Sequence, residues 1–480
     1  MSEHVMAVDA GTTSVRVVIV AADGRVVGHA RNRYGLRFPA PGLVEQDPEE
    51  LWGTTAATIA QALKSAGLAA AEICALGVTT QRATAVVWER ASGKALCPAV
   101  SWQDHRGAQR AKELNDMGFI TVAALTPAAK LESVLRALPG GLRMMGRGEL
   151  AWGGVDSFLV WRLTGGVVHA TDPSNACATG YYDYLAAWDW DAKLLEVQGL
   201  DRSIFPKVVD TAGEVGSTAR NVLGAEIPIG SIVGDQQSAA YAQGCMVSGE
   251  GKVTFGTSGT FDVNTGAELK LTAGTYPLVL WQRGDTRTYC LEGMVITAGA
   301  VFDWLAGVGL LSSPAQAGRS AASVGDTHGV SFLPALQGLG TPYSRPERHG
   351  AFEGLTLGAS AGHLVRAATE GVAYRVREMV DAVYRDSGLS RPESLRADGG
   401  AAENDVLMQI QADVLGRPVE RMSPVEATGF GAALLAGEAR GLWKPWSSPR
   451  MRRIDRVFEP RWSEDEREAR FQAWQKVWHG

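Results

Sequence analysis

The chain has little of what would mark a secreted, membrane-bound or nucleic-acid-binding protein. It has only five cysteines in 480 residues (Cys74, Cys97, Cys177, Cys245, Cys290), odd in number and far apart. They form no CxxC pair and no Cys/His cluster, which excludes a disulfide framework or a zinc module and leaves free thiols in a reducing compartment. No apolar run approaches the roughly 20 residues of a membrane span, and no charged, apolar leader opens the chain, so the cytoplasm is the expected location. A formal charge of −6 provides no general attraction for nucleic acid or an anionic membrane, and any phosphate site must therefore be local. Proline/serine-rich linkers and low-complexity tracts are also absent, which predicts closely coupled domains.

What is present is a globular composition, 45% hydrophobic and 20% charged, in a chain too long for one core. Near the start, Val5-Met6-Ala7-Val8 and Val15-Arg16-Val17-Val18-Ile19-Val20 flank Asp9-Ala10-Gly11-Thr12-Thr13-Ser14. Short Val/Ile runs around turn-forming residues predict two antiparallel strands and a tight turn. Gly11 permits close backbone approach, the hydroxyls and turn amides can donate to phosphate oxygens, and Asp9 at a strand end can hold a hydrated divalent cation. An ordinary hairpin with a polar turn accounts equally well for this stretch taken alone.

Gly24 to Ala30 predicts a third strand, and Asp47-Pro48-Glu49-Glu50 opens a helix that extends to about Ser65. Ile73 to Thr79 is a buried strand emptying into Thr80-Gln81-Arg82-Ala83-Thr84, and Val100-Ser101-Trp102-Gln103-Asp104 sets an indole among polar groups. Sugars and polyols stack C–H faces on aromatic rings and give hydroxyls to Arg, Gln and Asp, so Arg82, Trp102 and Gln103 form a candidate polyol site if the fold joins them. A helical pattern follows over Gly154–Leu163. Ile227 to Val233 then predicts a strand that delivers Gly234-Asp235-Gln236-Gln237 just before a helix. An acid placed there can serve as general base or merely cap the helix.

Past Gly244 the pattern begins again, with Gly251-Lys252-Val253-Thr254-Phe255 and Thr260-Phe261-Asp262-Val263 around Gly256-Thr257-Ser258-Gly259. Two such hairpins predict related halves, each with a phosphate-binding turn, meeting at residues 244–250. Further on come a helix entered through Thr297-Ala298-Gly299, a polar stretch over 312–327, a long amphipathic helix over Leu364–Tyr384, and a strand-to-helix turn at Asp398-Gly399-Gly400 with Asn404. The small-residue stretch Ala427–Gly437 reads as a close-packing helix.

The ordered set of these blocks resembles the FGGY family of carbohydrate kinases, closest in motifs to its glycerol kinase and polyol kinase branch. The matching blocks are Asp9 to Arg16, Thr80-Gln81-Arg82 through Trp88, Gly234 to Gln237, Gly256 to Gly259, and Asp398 to Gly400 with Asn404. The resemblance implies an α/β fold of two actin-like (ribonuclease-H-like) ATPase domains facing a central cleft, residues 1–246 binding substrate and 247–480 binding nucleotide. It implies ATP and Mg2+, a small polyol or sugar as acceptor, and the homo-oligomers found among relatives, with no nucleic-acid or membrane partner. Position by position, Asp235 would be the catalytic base and Asp9 the magnesium residue. Arg82, Trp102, Asp235 and Gln236 would hold the substrate. Thr12, Thr13, Arg16, Thr257, Gly299, Gly400 and Asn404 would contact the nucleotide.

The chain departs from the glycerol kinases at Ala83, where they carry a glutamate, and over Ala123–Lys130, which lacks their tyrosine. Fewer hydroxyl partners and more volume favour a longer acceptor, a four- or five-carbon polyol or a ketose. Asp303 replaces a glutamine near the nucleotide, leaving nucleotide preference open. Segments typical of xylulose and gluconate kinases are absent near Gln81. The competing expectations are a nucleotide-gated binding protein of the actin or chaperone type, and a kinase-like sensor without catalysis; Asp9 and Asp235 together argue against the sensor.

Overall fold

A computed structural model describes residues 3–272, 274–423 and 427–479. The chain forms two compact units: one of Met1–Ser238 with Leu278–Arg287 and Thr428–Met451, the other of Ala239–Pro277, Thr288–Ala427 and Arg452–Gly480. A division by chain order at 246/247 would assign the two later stretches of the first unit to the second half.

In the first unit, β1 (His4–Ala10), β2 (Ser14–Ala21) and β3 (Val26–Arg33) form an antiparallel meander. On the other side of β1 lie β4 (Ile73–Thr80) and β6 (Pro228–Gly234), both parallel to it, and antiparallel β5 (Ala212–Ser217) closes that edge. The order is β5–β6–β4–β1–β2–β3. Strands buried on both faces need continuous apolar runs, and β1 and β4 supply them. Helix α1 (Pro48–Ala66) begins where Asp47 accepts from the Glu49 and Glu50 amides and stops at left-handed Gly67. It packs with α2 (Val155–Leu163) into a core that includes Val8, Ile19, Leu76, Trp88, Phe158 and Ile232.

Helix α3 (Asp235–Ala242) starts directly at the end of β6. The small-residue helix α7 (Ala427–Ala439) runs against this sheet. A Cβ on Gly77 or Gly230 would lie 2.4 or 2.7 Å from the carbonyl oxygen of Ala432 or Ala436, and one on Gly431 would meet that of Ser238 at 1.9 Å. Gly77 and Gly230 therefore let α7 approach the sheet, and Gly431 lets it approach α3.

Six strands of the second unit repeat the same order and polarity. They are β7 (Gly251–Phe255), β8 (Gly259–Gly266), β9 (Thr286–Val295), β10 (Leu395–Asp398), β11 (Val419–Ser423) and β12 (Arg453–Phe458), arranged β9–β8–β7–β10–β11–β12. Strands β7 to β9 form the antiparallel meander, β10 and β11 run parallel to β7, and β12 is antiparallel. Helix α4 (Gly299–Gly307), the 27-residue α5 (Ala361–Ser387) and α6 (Asp405–Leu415) surround a core that includes Phe255, Phe261, Phe332, Val376 and Leu407. The polar stretch over 312–327 holds two short helical turns, Pro314–Gln316 and Ala317–Ala322.

Candidate active site

Register aligns the carboxyl ends of β1, β4 and β6. Asp9 pairs with Thr79, Ala10 with Thr80, and Thr80 with Gly234, so Asp9 and Asp235 emerge two strands apart, roughly 10 Å. The Asp9 side chain is 4% exposed, and Arg16, opposite it on β2, donates from Nη1 to its Oδ2 at 3.3 Å.

A buried polar set holds the hairpin turn from beneath. The Tyr34 hydroxyl donates to the Gly11 carbonyl, and Gln46 Nε2 donates to the Thr12 carbonyl at 2.7 Å. Gln81 Nε2 reaches the Tyr34 oxygen at 3.1 Å and Gln46 Oε1 at 3.0 Å. Burial raises the Tyr34 phenol above its ordinary pKa, keeping it a neutral donor. Thr13 is left exposed at the turn. The Trp102 indole donates to Thr12 Oγ1 at 3.0 Å and its backbone N–H to Thr84 Oγ1 at 3.2 Å, so the candidate aromatic platform is tied to the hairpin. Gln103 has its backbone N–H on Ser101 Oγ at 3.3 Å.

Asp235 opens α3. Its Oδ1 accepts from Arg82 Nε at 3.2 Å and from the Gln236 N–H at 2.8 Å, with the Arg82 and Asp235 side chains 12% and 26% exposed. The carboxylate therefore has a helix-start contact as well as a charged partner while remaining open to a ligand. Gly234 leaves room beside it for the Gln237 and Arg82 side chains, since a Cβ there would lie 2.5 Å from Gln237 Oε1 and 2.7 Å from Arg82 Cδ. Its N–H donates to Ser174 Oγ at 2.8 Å, and Ser174 in turn rests on buried Asp172 at 2.7 Å. Lys130 is wholly buried and straps two loops, donating to the carbonyls of Ser101 and Leu125 at 2.9 Å each; burial pulls it down to about 7.

In the second unit Thr257 is exposed at the β7–β8 turn, and its carbonyl accepts from Ala298 N–H at 2.9 Å and Ala300 N–H at 3.2 Å. A Cβ on Gly299 would lie 2.4 Å from the Gly256 oxygen, so the start of α4 can touch the turn only through glycine. Gly399 has φ +90° and a Cβ there would meet the Phe255 oxygen at 2.7 Å, whereas Gly400 has nothing within 4 Å. Asn404 Oδ1 accepts from the Val406 and Leu407 amides at 3.1 and 3.2 Å and caps α6, which leaves ligand contact to its amide group. Beneath these groups Lys252 Nζ lies 2.9 Å from Asp262 Oδ2, and Thr254 Oγ1 donates to Asp398 Oδ1 at 2.6 Å. Gln243 Nε2 donates to Asp398 Oδ2 at 3.0 Å. Burial raises the Asp398 pKa against the pull of Lys252.

The structure thus brings together Asp9, Thr12, Thr13, Arg16, Arg82, Trp102, Asp235 and Gln236 on the first unit, and Thr257, Gly299, Gly400 and Asn404 on the second. Sequence reading missed the supports: Tyr34, Gln46, Ser174, Asp172 and Lys130. Only Asp172 carried a local signal, an Asp-Pro helix start, and that signal pointed to a cap.

Among the described residues no group of three or more His, Cys, Asp or Glu could hold a metal ion. Asp9 is one hard oxygen donor beside a turn, a set that fits magnesium arriving with nucleotide phosphates and keeping most of its water, rather than a resident ion.

The N-terminal domain of the FGGY family of carbohydrate kinases matches residues 4–242, and the C-terminal domain of that family matches residues 251–440. The chain is 41% identical to a glycerol kinase of Dechloromonas aromatica, covering 99% of this chain and 97% of that one. It is 40% identical to a glycerol kinase of Thermus brockianus, covering 99% and 98%. Among solved structures, Plasmodium falciparum glycerol kinase with ADP superposes with TM-score 0.89 at 28% identity, covering 99% and 97% of the two chains.

Proposed function

The chain belongs to the FGGY family of carbohydrate kinases and is a polyol kinase, and we propose that Asp235 is its general base and that Arg82, Trp102 and Gln236 hold the acceptor. The observation that carries this reading is the Arg82–Asp235 pair at the carboxyl end of the sheet. It sets a carboxylate, fixed by a guanidinium and a backbone amide, partly open to a ligand.

Phosphoryl transfer asks a protein mainly for positioning and charge neutralisation. The acceptor hydroxyl gives its proton to Asp235 as its oxygen bonds to the γ-phosphorus of ATP, and the bond from that phosphorus to the β-γ bridging oxygen breaks to release ADP. Arg82 orients Asp235 through its Nε–H. Residues 1–246 hold the acceptor, while residues 247–480 hold the nucleotide through Thr257, Gly299, Gly400 and Asn404, with Thr12, Thr13 and Arg16 of the first hairpin directed to the transferred phosphate. Magnesium, held through Asp9, would neutralise phosphate charge. No helix among the described residues is long and apolar enough to cross a membrane, and the reading places the reaction in the cytoplasm, where ATP is abundant.

The test is ADP release with glycerol, tetritols, pentitols, hexitols and ketopentoses, with Asp235→Asn as the blank. Acceptor-dependent release that vanishes in the variant supports the assignment; full activity in Asp235→Asn removes Asp235 from the role of base.

A further inference from the structure

The backbone amide just before Asp235 is held by a side chain that no step of the transfer uses. On the outer edge of β6 the Ile232 N–H donates to the Thr211 carbonyl at 3.3 Å, and β5 starts at Ala212, opposite Ser231. The Gly234 N–H, two residues further along and facing the same edge, lies past the start of β5 and has no β5 carbonyl opposite it. Gly234 is buried, so its amide must find a partner inside the protein. Ser174 Oγ is that partner at 2.8 Å, and it extends the edge of the sheet by one hydrogen bond, up to the residue before the proposed base.

Ser174 is itself fixed. Its hydroxyl has one proton, which goes to Asp172 Oδ2 at 2.7 Å and leaves a lone pair for the Gly234 amide. Asp172 is 0% exposed. Its Oδ2 also accepts from the Ser174 N–H at 3.1 Å and Thr211 Oγ1 at 2.7 Å, and its Oδ1 from the Asn175 N–H at 3.0 Å and Asn175 Nδ2 at 2.9 Å. Five donors fill the roughly four lone-pair positions of a carboxylate, so Asp172 has nothing left to offer a ligand and its role is internal. Capping the short helix Pro173–Ala176 explains the two backbone amides among them. It does not explain the Thr211 and Ser174 hydroxyls, which join the cap to the edge of β6.

We propose that Ser174, seated on Asp172, is a positioning residue for the phosphoryl transfer, fixing the backbone from which Asp235 projects. The proposal rests on the kinase reading above and adds what holds its base in place. Without the hydroxyl, Gly234 has to shift to satisfy its amide, and a displacement well under 1 Å at the reacting groups is enough to slow the chemical step.

The experiment measures kcat and KM on the full chain, with MgATP and the best acceptor of the panel above, in the native protein, Ser174→Ala, Asp235→Asn and the double variant. Ser174→Ala leaves the carboxylate cap of Asp172 in place and removes only the link to Gly234. Its kcat should fall about 10- to 100-fold, with the KM for ATP within about two-fold of native. In the Asp235→Asn background, followed by single turnover at high enzyme concentration, the same change should alter the residual rate by less than about two-fold, because the group being positioned is gone. Ser174→Cys, which keeps a weak acceptor, should fall between native and Ser174→Ala, and it carries the test if thermal denaturation shows that Ser174→Ala does not fold. A folded variant with kcat within two-fold of native, or a loss that repeats in full without Asp235, overturns the positioning role while leaving the kinase assignment standing. Nucleotide binding without phosphorylation of any acceptor by the native protein overturns both.

Discussion

In the first unit Asp9 stands on the leading strand opposite Thr79, whereas in the second the pair is reversed, with Thr254 on the leading strand opposite Asp398. The strand order is the same around both positions. The surroundings differ. Arg16, the partner of Asp9, is 28% exposed and Asp235 is 26% exposed, while Lys252 and Asp262 are 0% and 1% exposed. One scaffold therefore supports two uses of charge. In the first unit both carboxylates have arginine partners, and Asp235 is open enough to meet a substrate while Asp9 is 4% exposed. In the second they are sealed in a lysine-centred network that fixes β7, β8 and β10, and the groups offered to a ligand are turn backbone, glycines and the amide of a cap. Ionic groups buried this way contribute to the geometry of the turn and are costly to break.

The sharpest way to break this comparison is to exchange chemistry for stability. Asp235→Asn should lower kcat roughly 10^3-fold while ATP affinity, measured by calorimetry, stays within about two-fold. Lys252→Met should destabilise the protein by about 3–5 kcal/mol in denaturant unfolding, because Asp262 and Asp398 lose their buried counter-ion. If Lys252→Met instead folded normally and lost only turnover, the division of roles would be wrong. The glycine pair separates the two effects within one turn. Gly399→Ala, at φ +90° against the Phe255 carbonyl, should cost roughly 1–3 kcal/mol. Gly400→Ala, in open space, should change stability by less than about 0.5 kcal/mol and raise the KM for ATP.

A pH-dependent effect is expected at Asp156, a buried acid of the first unit that has a threonine rather than a lysine beside it. Burial is the largest cause and raises its pKa to about 7. The folded protein then keeps a proton that the unfolded chain gives up near the ordinary carboxylate value, so this contribution to stability is lost as pH rises toward 7. The Tm of the native protein relative to Asp156→Asn should fall by roughly 5 °C between pH 5 and pH 8. A difference independent of pH would show that Asp156 is ionised throughout, like a partnered carboxylate.

Much of the fold was legible locally. Asp47-Pro48 and Gly67 bound α1, Gly388 ends α5, and Gly416 ends α6, because caps and stops act within a few residues. Asp235 was visible because strand, glycine and helix start are consecutive in the chain. The supports were not visible. Tyr34, Gln46 and Gln81 are separated by 12 to 47 residues and meet only under the Gly11 turn. The helix α7 read as structural in the sequence, yet its partners, Ser238 and the strands bearing Gly77 and Gly230, lie some 200 to 350 residues earlier, and α7 from Thr428 onward packs into the first unit.

The sequence by itself determined the elements and the chemistry available at their ends: two Val/Ile hairpins with polar turns, an acid on a strand-to-helix turn, and a glycine pair before a capped helix. These depend on short-range propensity and hydrogen bonding. Only the tertiary structure decided that Asp235 stays partly open while Asp262 is sealed, and that Arg82 meets Asp235 across 153 residues. Burial and register are set by strand pairing between distant segments, and no local pattern encodes them.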